Sequence, residues 1–330
     1  MDELAQGTGH VSKDELRQWM ARHDGPGLIR LAAQLPLLFG SGAATVWLAA
    51  RGHPAWMAAV TLCGVMIVTL FPPLHEAGHR TAFRSGILNE ALVWFCALAM
   101  LQAPSFFREF HWAHHRHTQD LKLDPELSGA PKLLGGLPRS PWNYLFRVSG
   151  QALLLGKAGF TVGCAVLPGS LLWTKLFPFI RPNLRARIVW ESRAAVLILG
   201  GLCFAGLRYV PGFAQLLLAW PIAHLLLGFY LLFEHAGLPE DGSQLHRTRT
   251  IRSVPLVRFF MWNMTYHAEH HAYPAVAFHA LPQLHQRLLP ELEHVVPGFL
   301  SFHGLALRHA FTFGRAGSGG TPATASMPTK

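Results

Sequence analysis

Two long apolar runs without a charged residue constrain this chain more than any other feature of its sequence. Residues 31–50 contain no charged side chain, and neither do residues 54–74. A helix needs about 20 consecutive apolar residues to cross the hydrocarbon core of a bilayer, and each run is long enough. Over the whole chain, 51% of the residues are hydrophobic and only 14% are charged. The chain is therefore predicted to be an all-α, polytopic membrane protein.

The second half of the chain contains two further apolar runs, which we interpret as the third and fourth spans. Residues 215–233 are uncharged and long enough to cross a bilayer. Residues 194–210 include Arg208, so this run crosses only if the arginine extends its charged end to the interface. Residues 158–174 compete for the same place, but a Pro-Gly pair interrupts them, and we expect them to lie at the interface. The residues before the third span are expected to form a basic connector that contains Arg181, Arg185, Arg187 and Arg193.

Basic residues flank the spans and predict their orientation. Three precede the first span and four follow the last: Arg17, Arg22, Arg30, Arg247, Arg249, Arg252 and Arg258. Because positive charge is retained on the cytoplasmic side, both ends of the chain are expected in the cytoplasm, at the plasma membrane in a bacterium. The formal net charge of +10 arises from this flanking and not from basic patches interleaved with aromatic residues, so no nucleic-acid partner is expected.

The sequence divides into three predicted segments. Residues 1–27 are interpreted as a cytoplasmic amphipathic segment without a secretion signal, in which Ser12 and Glu15 form a capping box that opens a helix reaching about His23. An Asp-Gly-Pro-Gly sequence at residues 24–27 is expected to end it. Residues 28–314 form the membrane domain, and residues 315–330 are predicted to be a disordered tail. All four cysteines lie in apolar runs, which argues against a disulfide framework.

Histidine is the second unusual feature, with 20 residues, and it is clustered. The clusters are His75-Glu-Ala-Gly-His79, His111-Trp-Ala-His114-His115 and His267-Ala-Glu-His270-His271. Histidines at positions i, i+3 and i+4 share one face of a helix. Converging neutral imidazoles bind zinc, copper, iron or nickel. Residues 91–107 lie between the first two clusters and are uncharged but broken by Pro104, so we expect them to dip into or pack on the membrane without crossing it.

Eight clustered histidines exceed the needs of one four-coordinate zinc and predict two metal ions. Ligands rich in imidazole and poor in carboxylate favour redox iron, so we expect two iron ions with O2 as cosubstrate, acting on an unactivated C–H bond of an apolar substrate. His235, at the end of the last span, is a candidate ninth ligand. Carboxylates expected to orient the imidazoles are Glu76, Asp120, Asp124, Glu234 and Glu269. The remaining histidines, including His117, His224, His246, His285 and His294, are expected to be structural or bystanders.

The three clusters resemble the histidine boxes of the integral-membrane fatty acid desaturase superfamily, over roughly residues 31–289. The resemblance implies about four transmembrane helices capped by a cytoplasmic helical domain with a non-haem di-iron site. It implies that the eight box histidines are iron ligands, that His235 is a further ligand, and that Asn263 can act through water. It also implies O2, an apolar lipid substrate in the bilayer, and electrons from ferredoxin or cytochrome b5. No cytochrome b5 segment is found, so a separate donor is expected.

The form of the third box, Tyr-His-x-Glu-His-His, is similar to acyl-lipid, sphingolipid and carotenoid-type members of the superfamily. The expected activity is therefore desaturation of an acyl chain, with hydroxylation or ketolation of an acyl chain, carotenoid or other apolar substrate as the alternative. Two other classes compete. His75-Glu76-x-x-His79 also matches the zinc metalloprotease pattern, which leaves the other two boxes unexplained. A metal transporter would place its histidines inside the spans, whereas these lie at the ends.

Overall fold

The computed structural model describes residues 11–167 and 172–313. The helices are α1 (Lys13–Trp19), α2 (Asp24–Ala49), α3 (Trp56–Val68), α4 (Phe71–His79), α5 (Gly86–Ala99), α6 (Pro104–His117), α7 (Pro131–Leu134), α8 (Pro141–Ser149), α9 (Gln151–Val166), α10 (Pro182–Tyr209), α11 (Phe213–Leu216), α12 (Ala219–His235), α13 (Gln244–Arg247), α14 (Pro255–Phe260), α15 (His267–Ala272), α16 (Leu281–Leu288) and α17 (Phe299–Phe313), with a π-helix at Leu172–Leu176 and a 3-10 helix at Phe278–Ala280. Two short strands, β1 (Thr250–Ile251) and β2 (Val295–Val296), complete the described secondary structure. The fold is all-α, as predicted.

The chain forms two compact units. Within the described residues, unit 1 comprises residues 11–22, 113–149 and 228–313, and unit 2 comprises residues 23–112, 150–167 and 172–227. Two of the four boundaries between the units fall inside helices, namely α6 and α12.

Four helical stretches in the described part of the chain are long and apolar enough to cross a membrane. They are Asp24–Ala49, Trp56–His79, Pro182–Tyr209 and Phe213–His235, with 26, 24, 28 and 23 residues. The number matches the prediction, and each stretch overlaps one of the four predicted runs. The competing run at residues 158–174 contains the second half of α9, which has 16 residues in all, and the start of the π-helix. Residues 168–171 of that run lie outside the described residues.

The third stretch is longer than the sequence suggested. The basic residues from Arg185 to Arg193 were expected in a connector, but they lie in the first turns of α10. Pro182 opens this helix at a position where its missing N–H costs nothing, and Glu191 forms an i, i+4 ion pair with Arg187 at 2.8 Å. Farther along, Leu197 and Phe204 are 75% and 68% exposed, as expected for side chains that face lipid.

The second stretch ends at the first histidine cluster. A short break at Thr69 and Leu70 separates α3 from α4, and the buried amide of Gln34 donates to the carbonyl of Thr69 at 2.9 Å. Arg80 then adopts a left-handed conformation (φ 61°) that terminates α4 directly after His79. His75 and His79 therefore occupy the last turns of a helix at the end of a span.

The chain bends sharply between α5 and α6. These helices meet at 93°, the geometry of a broken span or a re-entrant segment. At the bend, Leu101 has a positive φ of 59° and its carbonyl accepts a hydrogen bond from Thr161 at 2.9 Å. That residues 91–107 enter the membrane without crossing it stays a prediction, and the bend agrees with it.

The N-terminal prediction is confirmed in part. Ser12 and Glu15 form the capping box, and α1 follows it. The helix ends at Trp19, earlier than expected, and residues 24–27 do not form a loop but open α2, because Asp24 and Pro26 both suit a first helical turn. The predicted tail at residues 315–330 lies outside the described residues.

In unit 1, strands β1 and β2 pair in parallel, with Thr250 opposite Val295 and Ile251 opposite Val296. The pairing brings the chain that follows the last span beside the chain that precedes α17. Helix α16 lies between these two strands in the sequence.

One glycine in unit 2 is required by close packing. Gly150 has a φ of +64° at the start of α9, and a Cβ atom there would lie 1.7 Å from the carbonyl oxygen of His224. Any other residue would push α9 away from α12.

Candidate metal centre

Helix α6 carries the whole second histidine cluster. Its 14 residues place His111, His114 and His115 within little more than one turn, and all three are buried. This confirms the helical spacing from which a shared face was predicted. The boundary between the units falls inside α6, so His111 belongs to unit 2, whereas His114 and His115 belong to unit 1.

Unit 1 brings together four histidines from three helices. His114 comes from α6, His235 from the end of α12, and His267 and His271 from α15. One ring nitrogen from each lies within 4.8 Å of those of the other three, and all four residues are buried. The Nε2 atoms of His114 and His235 are 3.2 Å apart, and those of His235 and His267 are 2.9 Å apart. The candidate ninth histidine thus lies among the box histidines.

The outer nitrogens of these rings are held by other groups. His114 Nδ1 lies 3.0 and 3.1 Å from the two carboxylate oxygens of Asp124. His235 Nδ1 lies 3.3 Å from the carbonyl oxygen of Arg247, which can only accept a hydrogen bond. His271 Nδ1 lies 3.3 Å from the hydroxyl of Thr118, and that hydroxyl donates to the carbonyl of His114. Each contact requires the proton on Nδ1, which leaves the lone pair on Nε2.

This arrangement fits a metal ion. Neutral imidazoles whose Nε2 lone pairs face one another repel unless a cation lies between them. The Nε2 atom of His271 is buried and has no hydrogen-bond partner among the described residues, so a bound cation would satisfy it. Burial, followed by the neighbouring histidines, lowers the pKa of His267 and His271 well below the ordinary value, and the neutral form is the one that binds metals.

His114 differs from these two histidines. Burial alone lowers its pKa, but the neighbouring carboxylates of Asp124 and Glu126 outweigh burial and raise it to about 9. Without a metal, His114 therefore carries a proton at neutral pH that a metal ion must displace.

The last two box histidines of unit 1 form a pair. His115 Nε2 and His270 Nε2 lie 3.2 Å apart, and both rings are buried. The ring of His115 also stacks on that of His271, with 4.1 Å between centroids.

Unit 2 brings the other three box histidines together. His79 Nε2 lies 2.8 Å from His111 Nε2, and the rings of His75 and His111 are 4.2 Å apart. Phe107 stacks parallel to His111 one turn earlier on α6, and Trp112 lies edge-on to His79. Aromatic rings therefore fix the orientation of two of the three imidazoles.

Glu76 lies beside this group as a supporting carboxylate. It is completely buried, accepts a hydrogen bond from Thr81 at 2.5 Å, and lies 3.4 Å from Nδ1 of His75. A protease of the His-Glu-x-x-His type would use this carboxylate as a general base toward a metal-bound water. Here it lies beside the Nδ1 atom of a box histidine, which is compatible with a group that orients the imidazole.

The fatty acid desaturase family model matches residues 54–303, well over half of the chain. The chain belongs to the fatty acid desaturase family. The match spans all three histidine boxes and His235, and the family is a membrane family, in agreement with the four apolar helices. The chain is therefore an integral membrane protein with histidine groups able to hold metal ions.

Relatives within the desaturase superfamily share low identity with the chain. Sphingolipid delta(4)-desaturases of Candida albicans and Drosophila melanogaster are 22% and 24% identical, over 72% and 75% of this chain. Beta-carotene 4-ketolase 3 of Haematococcus lacustris is 27% identical over 64% of this chain. The chain covers 62%, 71% and 57% of the lengths of these three proteins.

Three further residues predicted to support the histidines in this desaturase-family protein are Asp120, Glu269 and Asn263, and each contacts a different part of the chain. Asp120 accepts hydrogen bonds from the backbone of Lys122 and Leu123, and it is Asp124 that contacts a box histidine. Glu269 accepts hydrogen bonds from Thr250 and His285. The amide of Asn263 donates to the carbonyl of Phe278 at 2.9 Å.

Glu234 lies 3.4 Å from Nδ1 of His267, consistent with the orienting role considered for it. Two histidines left outside the predicted ligand set also stay outside the ligand groups: His117 is half-buried, and His224 lies 2.9 Å from the carbonyl oxygen of Trp220.

Sequence reasoning missed several groups around the site. Thr118 and the carbonyl of Arg247 anchor two of the histidines, and His285 contacts Glu269. A hydroxyl or a main-chain carbonyl carries no motif, and the partners are 153 and 12 residues apart in sequence for the first two contacts. A local signal existed at Thr118, which lies three residues after the second cluster.

Proposed function

We propose that this desaturase-family protein is a membrane-bound, O2-dependent oxidoreductase that binds two iron ions and introduces a double bond into the acyl chain of a lipid. The observation that carries the proposal is the buried group of His114, His235, His267 and His271: one ring nitrogen of each converges with the others, and other groups hold the Nδ1 atoms of His114, His235 and His271. We assign this group to one iron ion. From the histidine-box pattern of the sequence, we propose that the remaining box histidines bind the second ion: His75, His79, His111, His115 and His270.

Bound iron would supply the redox chemistry that the side chains lack, which is reduction of O2 and removal of hydrogen from an unactivated C–H bond. The chain's own residues prepare the site. Asp124, the Arg247 carbonyl and Thr118 keep the protons on the outer nitrogens, so that the inner nitrogens are free to bind. Burial of the eight box histidines excludes bulk water from the ligand groups.

The reaction requires a reductant. Removing two hydrogen atoms from an acyl chain while reducing O2 to two water molecules consumes two additional electrons and two protons. We propose that a separate ferredoxin or cytochrome b5-type protein supplies the electrons. The donor would approach from the cytoplasm, since the basic flanks of the spans predict that face for the metal site.

The positions of the spans support a topology in which the metal site faces the cytoplasm. His79 ends the second apolar stretch and His235 ends the fourth. On the prediction that residues 91–107 do not cross, two crossings separate them, which supports placing both ends on the same side of the membrane. The arginines on either side of the four spans favour the cytoplasmic side.

Hydroxylation or ketolation is the second candidate. One of the relatives is named a carotenoid ketolase and is 27% identical, so the comparisons support both outcomes. Desaturation and hydroxylation begin with the same removal of hydrogen, and they differ in what then happens to the carbon that has lost it.

Expression in a host that makes both phospholipids and carotenoids tests the proposal. We expect a new double bond in an acyl or sphingoid chain, found by lipid mass spectrometry, and about two iron ions per purified chain. His271→Ala should abolish the product, whereas His117→Ala, outside the ligand groups, should keep most of it. A new keto or hydroxyl group would support the second candidate. An unchanged lipid and carotenoid profile, together with purified protein that contains zinc but no iron, would contradict both.

A further inference from the structure

A third group of possible metal ligands lies in unit 1, apart from the nine histidines. It contains His246 from α13, and Glu293 and His294 from the segment that leads into β2. One nitrogen or oxygen atom from each residue lies within 4.8 Å of those of the other two. None of these residues belongs to a sequence motif, and 47 positions separate His246 from Glu293.

The backbone holds these residues in place. The N–H of Thr250 donates to the carbonyl of His294 at 3.0 Å, and the N–H of Arg252 donates to that of Val296 at 2.8 Å. These hydrogen bonds belong to the β1–β2 pairing. The third residue, His246, is held by close packing: its ring lies so near Gly242 that a Cβ atom on that glycine would be 2.8 Å from the imidazole. The backbones of His246 and His294 are thus positioned before any ion binds.

The side chains have the chemistry of a zinc site. His246 Nδ1 lies 2.5 Å from a carboxylate oxygen of Glu293, and the rings of His246 and His294 are 5.5 Å apart. Two imidazoles and one carboxylate form a recurring ligand set for Zn²⁺, with water in the fourth position. Glu293 is 52% exposed, so that position is open to solvent.

One atom in the group is not explained by a simple ion pair. The Nε2 atom of His294 is shielded from solvent and has no hydrogen-bond partner among the described residues. A salt bridge between His246 and Glu293 would satisfy those two side chains and leave this nitrogen without a partner. A metal ion bound by all three would account for it.

We propose that His246, Glu293 and His294 bind a Zn²⁺ ion that is separate from the iron ions of the proposed function. The ion links the segment after the last span to the segment before α17, across the β1–β2 pair. The linked chain leads directly to functional contacts: the carbonyl of Arg247 holds His235, and Thr250 contacts Glu269. Zinc therefore stabilises the fold of these two segments, whereas the iron ligands hold their own ions without it.

Metal analysis of the full-length protein in detergent tests this. After growth with iron and zinc and removal of loosely bound metal, we expect the wild type to contain about one zinc per chain in addition to iron. Glu293→Gln and His246→Ala should each lose the zinc and retain the iron. His271→Ala should lose iron and retain the zinc. Glu240→Gln and His53→Ala, both exposed, are the matched controls and should retain both metals.

Thermal unfolding supplies a second readout. Adding Zn²⁺ to chelator-treated protein should raise the unfolding midpoint of the wild type and of Glu240→Gln, but not that of Glu293→Gln. In the absence of zinc, all three proteins should unfold at the same temperature. Equal zinc content in the wild type and Glu293→Gln would overturn the proposal. So would loss of iron together with zinc in Glu293→Gln, because zinc would then not occupy a separate site.

Discussion

The Nε2 atom of His235 lies 2.9 Å from the Nε2 atom of His267, although 32 residues separate them in sequence. One residue ends the last apolar helix and the other opens the helix of the third box. Their contact joins a histidine outside the boxes to the box ligands, and it defines the four-histidine group to which an iron ion is assigned.

His235→Ala should therefore remove one ligand from that group and reduce the iron content by about one ion per chain. Product formation should fall below detection. His224→Ala is the matched control because it changes a buried histidine on the same helix that instead contacts a main-chain carbonyl. It should retain its iron. Equal iron content in His235→Ala and the wild type, measured by elemental analysis, would remove His235 from the ligand set.

Asp124 should control the pH dependence of metal binding through His114. Because the pKa of His114 is raised to about 9, binding must displace its proton, and the apparent affinity for Fe²⁺ should rise about tenfold per pH unit between pH 7 and about 9. In Asp124→Asn the pKa of His114 falls, so this rise in affinity should flatten at a lower pH than in the wild type. The affinity at pH 9 should fall about 10- to 100-fold, because the imidazole is no longer anchored.

Asp120→Asn is the control for that experiment, since Asp120 caps a turn instead of contacting a histidine. Anaerobic titration with Fe²⁺ at several pH values gives both quantities. Identical pH profiles for Asp124→Asn and Asp120→Asn would show that Asp124 does not act on His114.

Arg249→Met should destabilise the protein and weaken metal binding. Arg249 is completely buried, donates to the carbonyls of Phe233 and Ala236, and lies over the ring of Phe302. It thereby closes the C-terminal end of α12 beside His235. Methionine fills similar volume but leaves these carbonyls without a donor, at a cost of about 1–3 kcal/mol for each.

Thermal unfolding and iron content measure the effect of Arg249→Met. The exposed Arg252 provides the control, and Arg252→Met should behave as the wild type. If both variants unfold at the same temperature, the buried guanidinium contributes no net stability.

Gly150→Ala should disturb the packing of α9. The new methyl group would collide with the carbonyl of His224, and the backbone has a positive φ there. We expect a loss of about 1–3 kcal/mol or reduced yield of folded protein. Gly156→Ala, six residues later in the same helix and in open space, should be neutral or stabilise the helix by about 1 kcal/mol. A higher unfolding midpoint for Gly150→Ala than for Gly156→Ala would contradict this packing.

Much of the site was predictable because it is local. The spacing within each box follows from the helical repeat, so His111, His114 and His115 were expected on one helix and lie there. The four apolar helices were predictable for the same reason, since the energy of a span depends mainly on its own side chains. Local signals failed at helix boundaries: Pro182 and the arginines after it resemble a connector in sequence, yet they open α10.

The sequence by itself determined the membrane class, the number of spans and the box histidines, because each is encoded in a contiguous stretch with the period of a helix. Only the tertiary structure decided which distant groups meet those histidines. Asp120 and Asp124 are equivalent in sequence, but the turn that follows α6 directs Asp124 to His114. Likewise, the pairing of β1 with β2 brings His294 to His246. Such contacts depend on chain segments that are far apart in sequence, and no local pattern of residues reports how those segments pack.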